Sequence, residues 1–301
     1  MSAIPMPGRR LPALVLASLV AGVCAGATPG FDGKRAFEHL RKLVLIGPRP
    51  AGSPALAQAR RYITGELAAI GVTAREQAFD AATPVGRIRT VNLVATIPGD
   101  RPERIAIAGH YDTKRFDDFE FVGANDGASS AAFLIELARI LKARKNPLTV
   151  ELLFLDGEEA VIEWTGTDHT YGSRHYVDAA ERDGSLKRLK ALILVDMIGD
   201  RDLAMRREAN STAWLTTIIW DAARHLGHAR HFLDSATPIE DDHLPFLEAG
   251  VPAVDLIDLE YGAWHTRGDT MDQVAAKSLQ VVGDVLLEAL PAIEARLALS
   301  K

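Results

Sequence analysis

Apolar and polar positions follow two different periods along this chain. A helical spacing of apolar residues predicts helices over residues 35–46, 54–70, 127–143, 211–226 and 274–298. Short apolar runs between polar or glycine-rich segments predict strands over residues 88–98, 104–109, 149–155, 191–198 and 251–257. Several of these strands are apolar at nearly every position, which indicates that both of their faces are buried.

Strands that alternate with helices in this way are typical of an α/β fold. The length of 301 residues, of which 48% are hydrophobic and 25% charged, suits one large domain or two small ones. No linker, repeat or low-complexity segment divides the chain. We therefore expect one domain over residues 28–301, with a central mixed and mostly parallel sheet flanked by helices.

The first residues have the pattern of a targeting segment. Arg9 and Arg10 precede a short apolar stretch, which is followed by Ala25-Gly26-Ala27. This order predicts a signal peptide over residues 1–27, with cleavage after Ala27 and export to the periplasm or the medium. The apolar stretch is shorter than the roughly 20 residues that a membrane-spanning helix needs, so no stable span is expected.

Charge and cysteine content narrow the function classes further. The formal net charge is −6, and it becomes two units more negative without Arg9 and Arg10. No long run of Lys or Arg occurs, so nucleic acid is not an expected partner. Cleavage after Ala27 also removes Cys24, the only cysteine, which leaves no intramolecular disulfide.

Polar, metal-ligating side chains follow the predicted strands. They are His110-Tyr111-Asp112, Asp156-Gly157-Glu158-Glu159, Asp196 and Trp264-His265-Thr266, and a further loop, Gly123-Ala124-Asn125-Asp126-Gly127, precedes a helix. In open α/β sheets, sites form beyond the carboxyl ends of the strands. Each residue alone has an ordinary structural interpretation, such as a helix cap for an aspartate. Five segments that deliver such groups to one edge together indicate a site.

The side-chain types at this edge favour a metal. His110, Asp126, Glu159, Asp196 and His265 supply imidazole and carboxylate groups without a thiolate, which suits a catalytic zinc with an open position. Asp112 lies two residues from His110 and is expected to orient its imidazole. Glu158 and Glu159 would repel one another without a nearby cation. We therefore expect one of them to bind the metal and Glu158 to move protons.

These motifs resemble those of the co-catalytic zinc aminopeptidase superfamily, and more closely those of its glutaminyl-peptide cyclotransferase branch. The resemblance extends over roughly residues 35–298. The residues that carry the closer match are His110-Tyr111-Asp112-Thr113-Lys114, Phe154-Leu155-Asp156-Gly157-Glu158-Glu159-Ala160, Trp164, Tyr171-Gly172-Ser173-Arg174-His175, Ile239-Glu240-Asp241-Asp242-His243-Leu244-Pro245-Phe246, Gly250-Val251-Pro252 and Trp264-His265-Thr266.

The resemblance implies a zinc aminopeptidase-like fold and a role for each matching residue. It implies that Asp126, Glu159 and His265 hold one zinc ion, with Glu158 as the acid/base. Asp196 and Asp241 would form a hydrogen-bonded carboxylate pair near the substrate amine, and Trp164 and Trp264 would line the glutamine pocket. The implied substrates are peptides or proteins with an N-terminal glutamine, which is converted to pyroglutamate with release of ammonia. One position departs from the pattern, because Asp255 stands where the animal cyclases carry a histidine.

Two alternatives remain open at this point. A zinc aminopeptidase would use Glu158 to activate water, with His110 and Asp196 as ligands of a second zinc. A non-catalytic binding module on the same fold would be expected to have lost a ligand or the acid/base, and every such position is present here. Asp242 is interpreted as a helix cap and His169 as a surface or structural residue. Residues 116–120 either rim the site or are only solvated.

Overall fold

The computed structural model of the protein describes residues 1–4 and 29–299. The predicted signal peptide with its cleavage position lies almost entirely in residues 5–28, outside the described ranges. The helices are α1 (Gly33–Val44), α2 (Pro54–Ala69), α3 (Ala128–Ala143), α4 (Tyr171–Arg182), α5 (Ala213–His225), α6 (Leu244–Glu248) and α7 (Ala276–Leu299). The strands are β1 (Ala74–Thr83), β2 (Gly86–Ile97), β3 (Arg101–His110), β4 (Leu148–Leu155), β5 (Leu189–Asp196), β6 (Met205–Glu208), β7 (Phe232–Thr237) and β8 (Ala253–Ile257).

Six of the strands form one mixed sheet in the order β1-β2-β4-β3-β5-β8. Strands β4, β3, β5 and β8 are parallel, whereas β1, β2 and β4 pair antiparallel. Strands β6 and β7 form a separate parallel pair. The predicted α/β fold with a mixed, mostly parallel sheet is confirmed, and the antiparallel pairings are confined to one side of the sheet.

Both faces of the sheet are covered, which explains the continuously apolar strands. On β3, Ile105 and Ile107 join the larger core cluster, together with residues of α1, α2, α3, α5 and α7. The alternate positions, Ala106 and Ala108, pack on the opposite face with residues of α4 and α6. The period of two along each strand therefore divides its side chains between two hydrophobic layers.

Local sequence signals set where several helices begin. The Asp32 carboxylate accepts hydrogen bonds from the backbone N–H groups of Lys34 and Arg35, and so caps α1. Ser53 caps α2 in the same way, directly before Pro54. Helix α3 follows Gly127, whose φ of +88° belongs to the left-handed region that favours glycine. A Cβ atom at Gly127 would lie 2.3 Å from the carbonyl oxygen of Asp112, so the approach of these two loops requires glycine.

Several elements have no counterpart among the sequence predictions. Strand β1 is a mostly solvent-exposed edge strand with the sequence AREQAFDAAT, so its polar positions hide the strand pattern. Helix α4 and the β6–β7 pair are also additional. Within the described part of the chain, no helix is both long enough and apolar enough to cross a membrane.

Candidate active site

The polar segments predicted to meet do meet, at the carboxyl edge of the parallel strands. His110 is the last residue of β3 and Asp196 the last residue of β5. Glu158 and Glu159 follow β4 after a turn at Gly157, which has a φ of +71°. The remaining groups arrive on loops, Asp126 just before α3, Asp241 just before α6 and His265 after β8. Parallel strands bring their carboxyl ends to one edge, and the loops complete the site there.

Five of these side chains form two groups that share Asp126. The Oδ1 atom of Asp126 lies 3.2 Å from Nε2 of His110, which is in turn 3.1 Å from Oδ1 of Asp196. The Oδ2 atom of Asp126 lies 3.3 Å from Nε2 of His265, and that nitrogen is 3.4 Å from Oε2 of Glu159. In each group the ligand atoms lie within 4.8 Å of one another. The geometry therefore offers one position for a metal ion on each side of the Asp126 carboxylate.

The electrostatics of the group formed by Asp126, Glu159 and His265 fit a bound cation. Oδ2 of Asp126 is buried without a hydrogen-bond partner among the described residues. Burial and repulsion from Asp126 raise the pKa of Glu159 to about 7. Burial lowers the pKa of the His265 imidazole, but the nearby carboxylates of Asp126 and Glu159 outweigh it and raise this pKa to about 9. Two buried carboxylates beside one imidazole are the ligand types of a catalytic zinc site with an open fourth position.

In the group formed by His110, Asp126 and Asp196, the charges of the carboxylates act on the imidazole. Burial lowers the pKa of His110, but the Asp196 and Glu158 carboxylates outweigh burial and raise it well above the ordinary value. Asp112 supports this imidazole, since its Oδ1 atom lies 3.5 Å from Nδ1 of His110. The same carboxylate accepts hydrogen bonds from the backbone N–H groups of Glu158 and Glu159, at 3.3 Å each. Asp112 thus links β3 to the glutamate pair.

Glu158 lies next to both groups without belonging to either of them. Its Oε2 atom is 3.6 Å from Nδ1 of His110. Burial and repulsion from Glu159, Asp241 and Asp242 outweigh the attraction of His110 and raise the pKa of Glu158 well above the ordinary value. A carboxyl group with a raised pKa can both take up and return a proton near neutral pH.

Asp241 and Asp242 begin the turn into α6, and both are buried. Burial and repulsion from Asp196 and Asp242 raise the pKa of Asp241 well above the ordinary value. The interpretation of Asp242 as a helix cap is wrong. No side chain caps α6, and Asp242 instead accepts a short hydrogen bond of 2.5 Å from Oγ of Ser173 in α4. Asp242 therefore ties the Asp241 loop to the helix beneath it.

A cavity of about 500 Å³ opens onto Glu158, Glu159, Asp126 and His265. Two aromatic side chains form part of its wall. The Trp164 ring stacks on the ring of His169 at 4.2 Å, and the Trp264 ring stacks on that of His265 at 4.4 Å. Trp264 is 44% exposed, so it lies at the mouth of the cavity. The further lining residues include Lys114, Ile162, Glu163, Asp196, Met197, Pro238, Ile239, Glu240, Asp241, Ile257 and Leu259.

Comparison with known proteins supplies the family. Residues 92–290 match the model of peptidase family M28, which is more than half of the chain. The glutaminyl-peptide cyclotransferase-like protein of Bos taurus is 33% identical over 261 residues, covering 77% of this chain and 68% of that protein. The chain belongs to the glutaminyl-peptide cyclotransferases of family M28.

Solved structures of this family and of related proteins have the same fold. The glutaminyl cyclase of an Acidobacteriales bacterium superposes with a TM-score of 0.86 at 38% identity, covering 94% of this chain and 100% of that one. A Bacteroides thetaiotaomicron protein described as a leucine aminopeptidase precursor reaches a TM-score of 0.80 at 26% identity, covering 88% of this chain and 98% of that one. The cyclotransferase fold therefore also accommodates proteins described as peptidases.

Three residues outside the predicted site set contact it in this cyclotransferase. Lys114 donates from its backbone N–H group to Oε1 of Glu159 at 3.0 Å, and from Nζ to the carbonyl oxygen of Ala160 at 2.8 Å. His169 stacks on Trp164, which gives it a specific contact rather than a place on the solvated surface. The Asp269 carboxylate accepts from the backbone of Asp126. Only Lys114 lies inside a recognised motif, two residues after Asp112.

The loop at residues 116–120 rims the site through its first aromatic residue. The Phe116 ring lies 5.9 Å from the ring of His265, in an edge-on arrangement, and stacks on Phe119 at 4.4 Å. Phe121, just beyond this loop, approaches the same imidazole edge-on at 5.9 Å. Aromatic rings thus enclose His265 on several sides, since Trp264 stacks on it as well.

Asp255, the position that departs from the family resemblance, is fully buried on β8. Its Oδ2 atom lies 3.8 Å from Nδ1 of His243, whose Nε2 atom is 3.1 Å from Oε2 of Glu208. Burial and repulsion from Asp241, Asp196 and Glu208 raise the pKa of Asp255 well above the ordinary value. A protonated carboxyl group has one donor and retains acceptor capacity, as a neutral imidazole does. Asp255 can therefore occupy this position without adding a buried charge.

Replacing Asp255 by asparagine should change how stability depends on pH. The raised pKa means that the folded chain holds this proton more tightly than the unfolded chain does. That contribution is fully present below the pKa of an unfolded aspartate, falls as the pH rises, and is gone above the folded-state pKa. We expect the wild type to lose about 1.4 kcal/mol of unfolding free energy, relative to Asp255→Asn, for each pH unit within this window.

Urea unfolding of both proteins between about pH 4 and pH 9, at one fixed zinc concentration, measures this difference. The two curves should be closest at acidic pH and diverge as the pH rises. A constant difference across the pH range would contradict a protonated Asp255.

Proposed function

We propose that this protein is a zinc-dependent glutaminyl-peptide cyclotransferase that converts an N-terminal glutamine to pyroglutamate and releases ammonia. The observation that carries the proposal is the cavity between Trp164 and Trp264, which ends at Glu158 and at the Asp126–Glu159–His265 group. The family membership supports the same reaction. Its substrates are peptides or proteins with an N-terminal glutamine.

Asp126, Glu159 and His265 would hold one zinc ion, which would polarise the γ-carboxamide carbonyl group of the substrate. Trp164 and Trp264 would clasp the glutamine side chain and keep it folded back toward its own α-amine. Asp241, which lines the same cavity, would hold that amine in attack position. Because the nucleophile and the reacting carbon belong to one residue, the protein mainly has to fix their geometry and exclude water.

Proton transfer falls to Glu158 in this proposal. Its carboxylate takes a proton from the α-amine as the nitrogen–carbon bond to the γ-carboxamide carbon forms. The same carboxyl group then gives the proton to the departing amide nitrogen, which leaves as ammonia. The protons balance, so no other acid or base is needed.

A peptide with an N-terminal glutamine tests the proposal when ammonia and free amino acids are followed together. We expect ammonia release equal to pyroglutamyl peptide, with no free glutamine. The matched substrate is the same peptide with an acetylated α-amine, which lacks the nucleophile and should release no ammonia. Free glutamine without pyroglutamate would identify an aminopeptidase instead.

The aminopeptidase is the second candidate, and one observation favours it. The His110–Asp126–Asp196 group is intact and lies on the other side of the Asp126 carboxylate from the Asp126–Glu159–His265 group. Such a group could hold a second zinc and so present a water molecule for peptide hydrolysis. We nevertheless propose one zinc per chain, because cyclisation requires no activated water.

Asp241 should lose its proton at a higher pH than an ordinary aspartate does, because burial and repulsion from Asp196 raise its pKa. The hydrogen-bonded pair that the resemblance implies is not formed, since Oδ2 of Asp241 has no hydrogen-bond partner among the described residues. Asparagine at either position should shift the pH–rate profile by on the order of one pH unit, because Asp241→Asn removes this proton and Asp196→Asn removes a charge that raises its pKa. The measurement is kcat/KM against pH for each variant, and profiles identical to that of the wild type would exclude this role of Asp241.

The proposal places this reaction outside the cytoplasm. Support comes from the positively charged, apolar and Ala-x-Ala segments of residues 1–27. Sequencing the N-terminus of the exported protein tests this, and a mature chain beginning at Thr28 is the expected result.

A further inference from the structure

Two aspartates that take no part in the proposed chemistry have the same local arrangement. Each is buried, and each accepts hydrogen bonds from consecutive backbone N–H groups and from one tyrosine hydroxyl. We call this arrangement a clamp. Asp269 forms one clamp with Tyr261, and Asp168 forms the other with Tyr171. Hydrogen bonds to a carboxylate are about twice as strong as those between neutral groups, so each clamp fixes the loop that it holds.

The Asp269 clamp joins the two loops that carry Asp126 and His265. Its Oδ1 atom accepts from the N–H group of Asn125 at 2.8 Å, and its Oδ2 atom accepts from that of Asp126 at 3.1 Å. The Tyr261 hydroxyl donates to Oδ1 at 2.7 Å, from within the loop that carries His265. Two proposed zinc ligands that are far apart in sequence are thereby fixed relative to one another.

The conformation of His265 indicates that this support is needed. Its φ of +53° lies in the left-handed region, which residues other than glycine seldom adopt. Such a conformation persists only when the surrounding structure holds it. Asp269 lies four residues further along the same loop, and its own carbonyl oxygen accepts from the N–H group of Ala124 at 3.3 Å. The loop is thus anchored on its C-terminal side.

The Asp168 clamp holds a different part of the site. Its Oδ1 atom accepts from the N–H group of Val161 at 3.1 Å, and its Oδ2 atom accepts from those of Ile162 and Glu163 at 2.8 Å and 3.0 Å. The Tyr171 hydroxyl donates to Oδ1 at 2.7 Å. This loop supplies the cavity wall formed by Ile162, Glu163 and Trp164, and it carries none of the proposed zinc ligands.

We propose that Asp269 is the positioning residue of the metal centre, that Asp168 is the positioning residue of the substrate-pocket wall, and that the two act independently. Removing the first clamp frees the loops that hold two ligands, so it weakens zinc binding. Removing the second clamp frees the loop that carries Trp164, so it weakens substrate binding and leaves zinc in place. The pocket half of this inference rests on the proposed cyclisation, whereas the metal half does not.

Asp269→Asn and Asp168→Asn form a matched pair of variants. Asparagine has the same shape but offers one acceptor oxygen where the aspartate uses two, so each variant loses at least one backbone hydrogen bond. Zinc affinity is measured by competition with a chelator of known affinity, and KM with a peptide that begins with glutamine. The visible spectrum of the cobalt-substituted protein reports the geometry of the ligands, which a merely destabilised fold would leave unchanged.

We expect Asp269→Asn to bind zinc about 10- to 100-fold more weakly, and to change the cobalt spectrum. We expect Asp168→Asn to bind zinc within about twofold of the wild type, because none of the hydrogen bonds of Asp168 is made to Asp126, Glu159 or His265. Its KM should rise on the order of tenfold, with the cobalt spectrum unchanged. Normal zinc affinity in Asp269→Asn, or equal losses of zinc in both variants, would overturn the inference.

Tyr261→Phe and Tyr171→Phe provide the test if an asparagine variant fails to fold. Each removes one hydroxyl donor and leaves the backbone hydrogen bonds of its clamp in place. The same division should appear with smaller effects, zinc affinity falling only in Tyr261→Phe and KM rising only in Tyr171→Phe. If the peptide that begins with glutamine is not cyclised, the zinc measurements still decide the role of Asp269.

Discussion

Glu158→Gln should lower kcat for cyclisation by a factor of about 10²–10⁴ and leave the bound zinc unchanged. Glutamine keeps the size of the side chain but cannot take the proton of the α-amine or deliver it to ammonia. Glu158 is buried beside Glu159, which belongs to the ligand group. Glu158 itself belongs to neither group, and its Oε2 atom lies 3.6 Å from Nδ1 of His110. The variant therefore separates proton transfer from metal binding at adjacent positions.

The measurements are kcat with a peptide that begins with glutamine, zinc content after dialysis, and the melting temperature. Glu103→Gln is a suitable control, because Glu103 pairs with Arg101 in the first residues of β3, seven residues before His110. It should have the activity and zinc content of the wild type. Zinc loss in Glu158→Gln, or activity close to the wild type, would show that Glu158 is not the acid/base.

Zinc content after single alanine substitutions should divide the five ligand candidates into two classes. Asp126→Ala, Glu159→Ala and His265→Ala each remove one of three ligands and should weaken zinc binding by more than about 100-fold. His110→Ala should keep one zinc, because it leaves that group whole. The wild type should accordingly contain one tightly bound zinc per chain.

Metal analysis after dialysis against a weak chelator decides between the two enzyme classes. Two zincs in the wild type and one in His110→Ala would favour the aminopeptidase, since His110, Asp126 and Asp196 would then hold the second ion. Asp196→Asn gives an independent check from the other side of the same group. It should keep the single zinc if the cyclotransferase proposal holds.

The proposed division of labour also explains why two such similar reactions can share one fold. Both need an electrophilic carbonyl group, an acid/base at Glu158 and a way to hold the substrate amine. They differ in the nucleophile, which is water in a peptidase and the substrate's own amine in a cyclotransferase. In the proposed function, the pocket that folds the glutamine back on itself makes this difference, and no new ligand set is required.

The sequence by itself determined the elements whose signal is local. Buried parallel strands are apolar along their whole length, and polar side chains directly after them must lie at the carboxyl edge of the sheet. For this reason the sequence predicts the strands β3, β4, β5 and β8. It also predicts the side chains that end or follow them, which are His110, Glu158, Glu159 and Asp196. The roles of the residues in the site loops were also predicted from the sequence, but largely through their resemblance to a known family.

Other features were decided only by the tertiary structure. Strand β4 lies between β2 and β3, although those two are adjacent in sequence. This order is set by pairings between segments that are distant along the chain, which no local pattern records. The exposed edge strand β1 has no apolar alternation to read. Asp168, Asp269 and Asp242 act through backbone or hydroxyl groups that reach them only after folding. A carboxylate's choice of distant hydrogen-bond donors leaves no periodic pattern in the sequence, so these positioning contacts appear only in three dimensions.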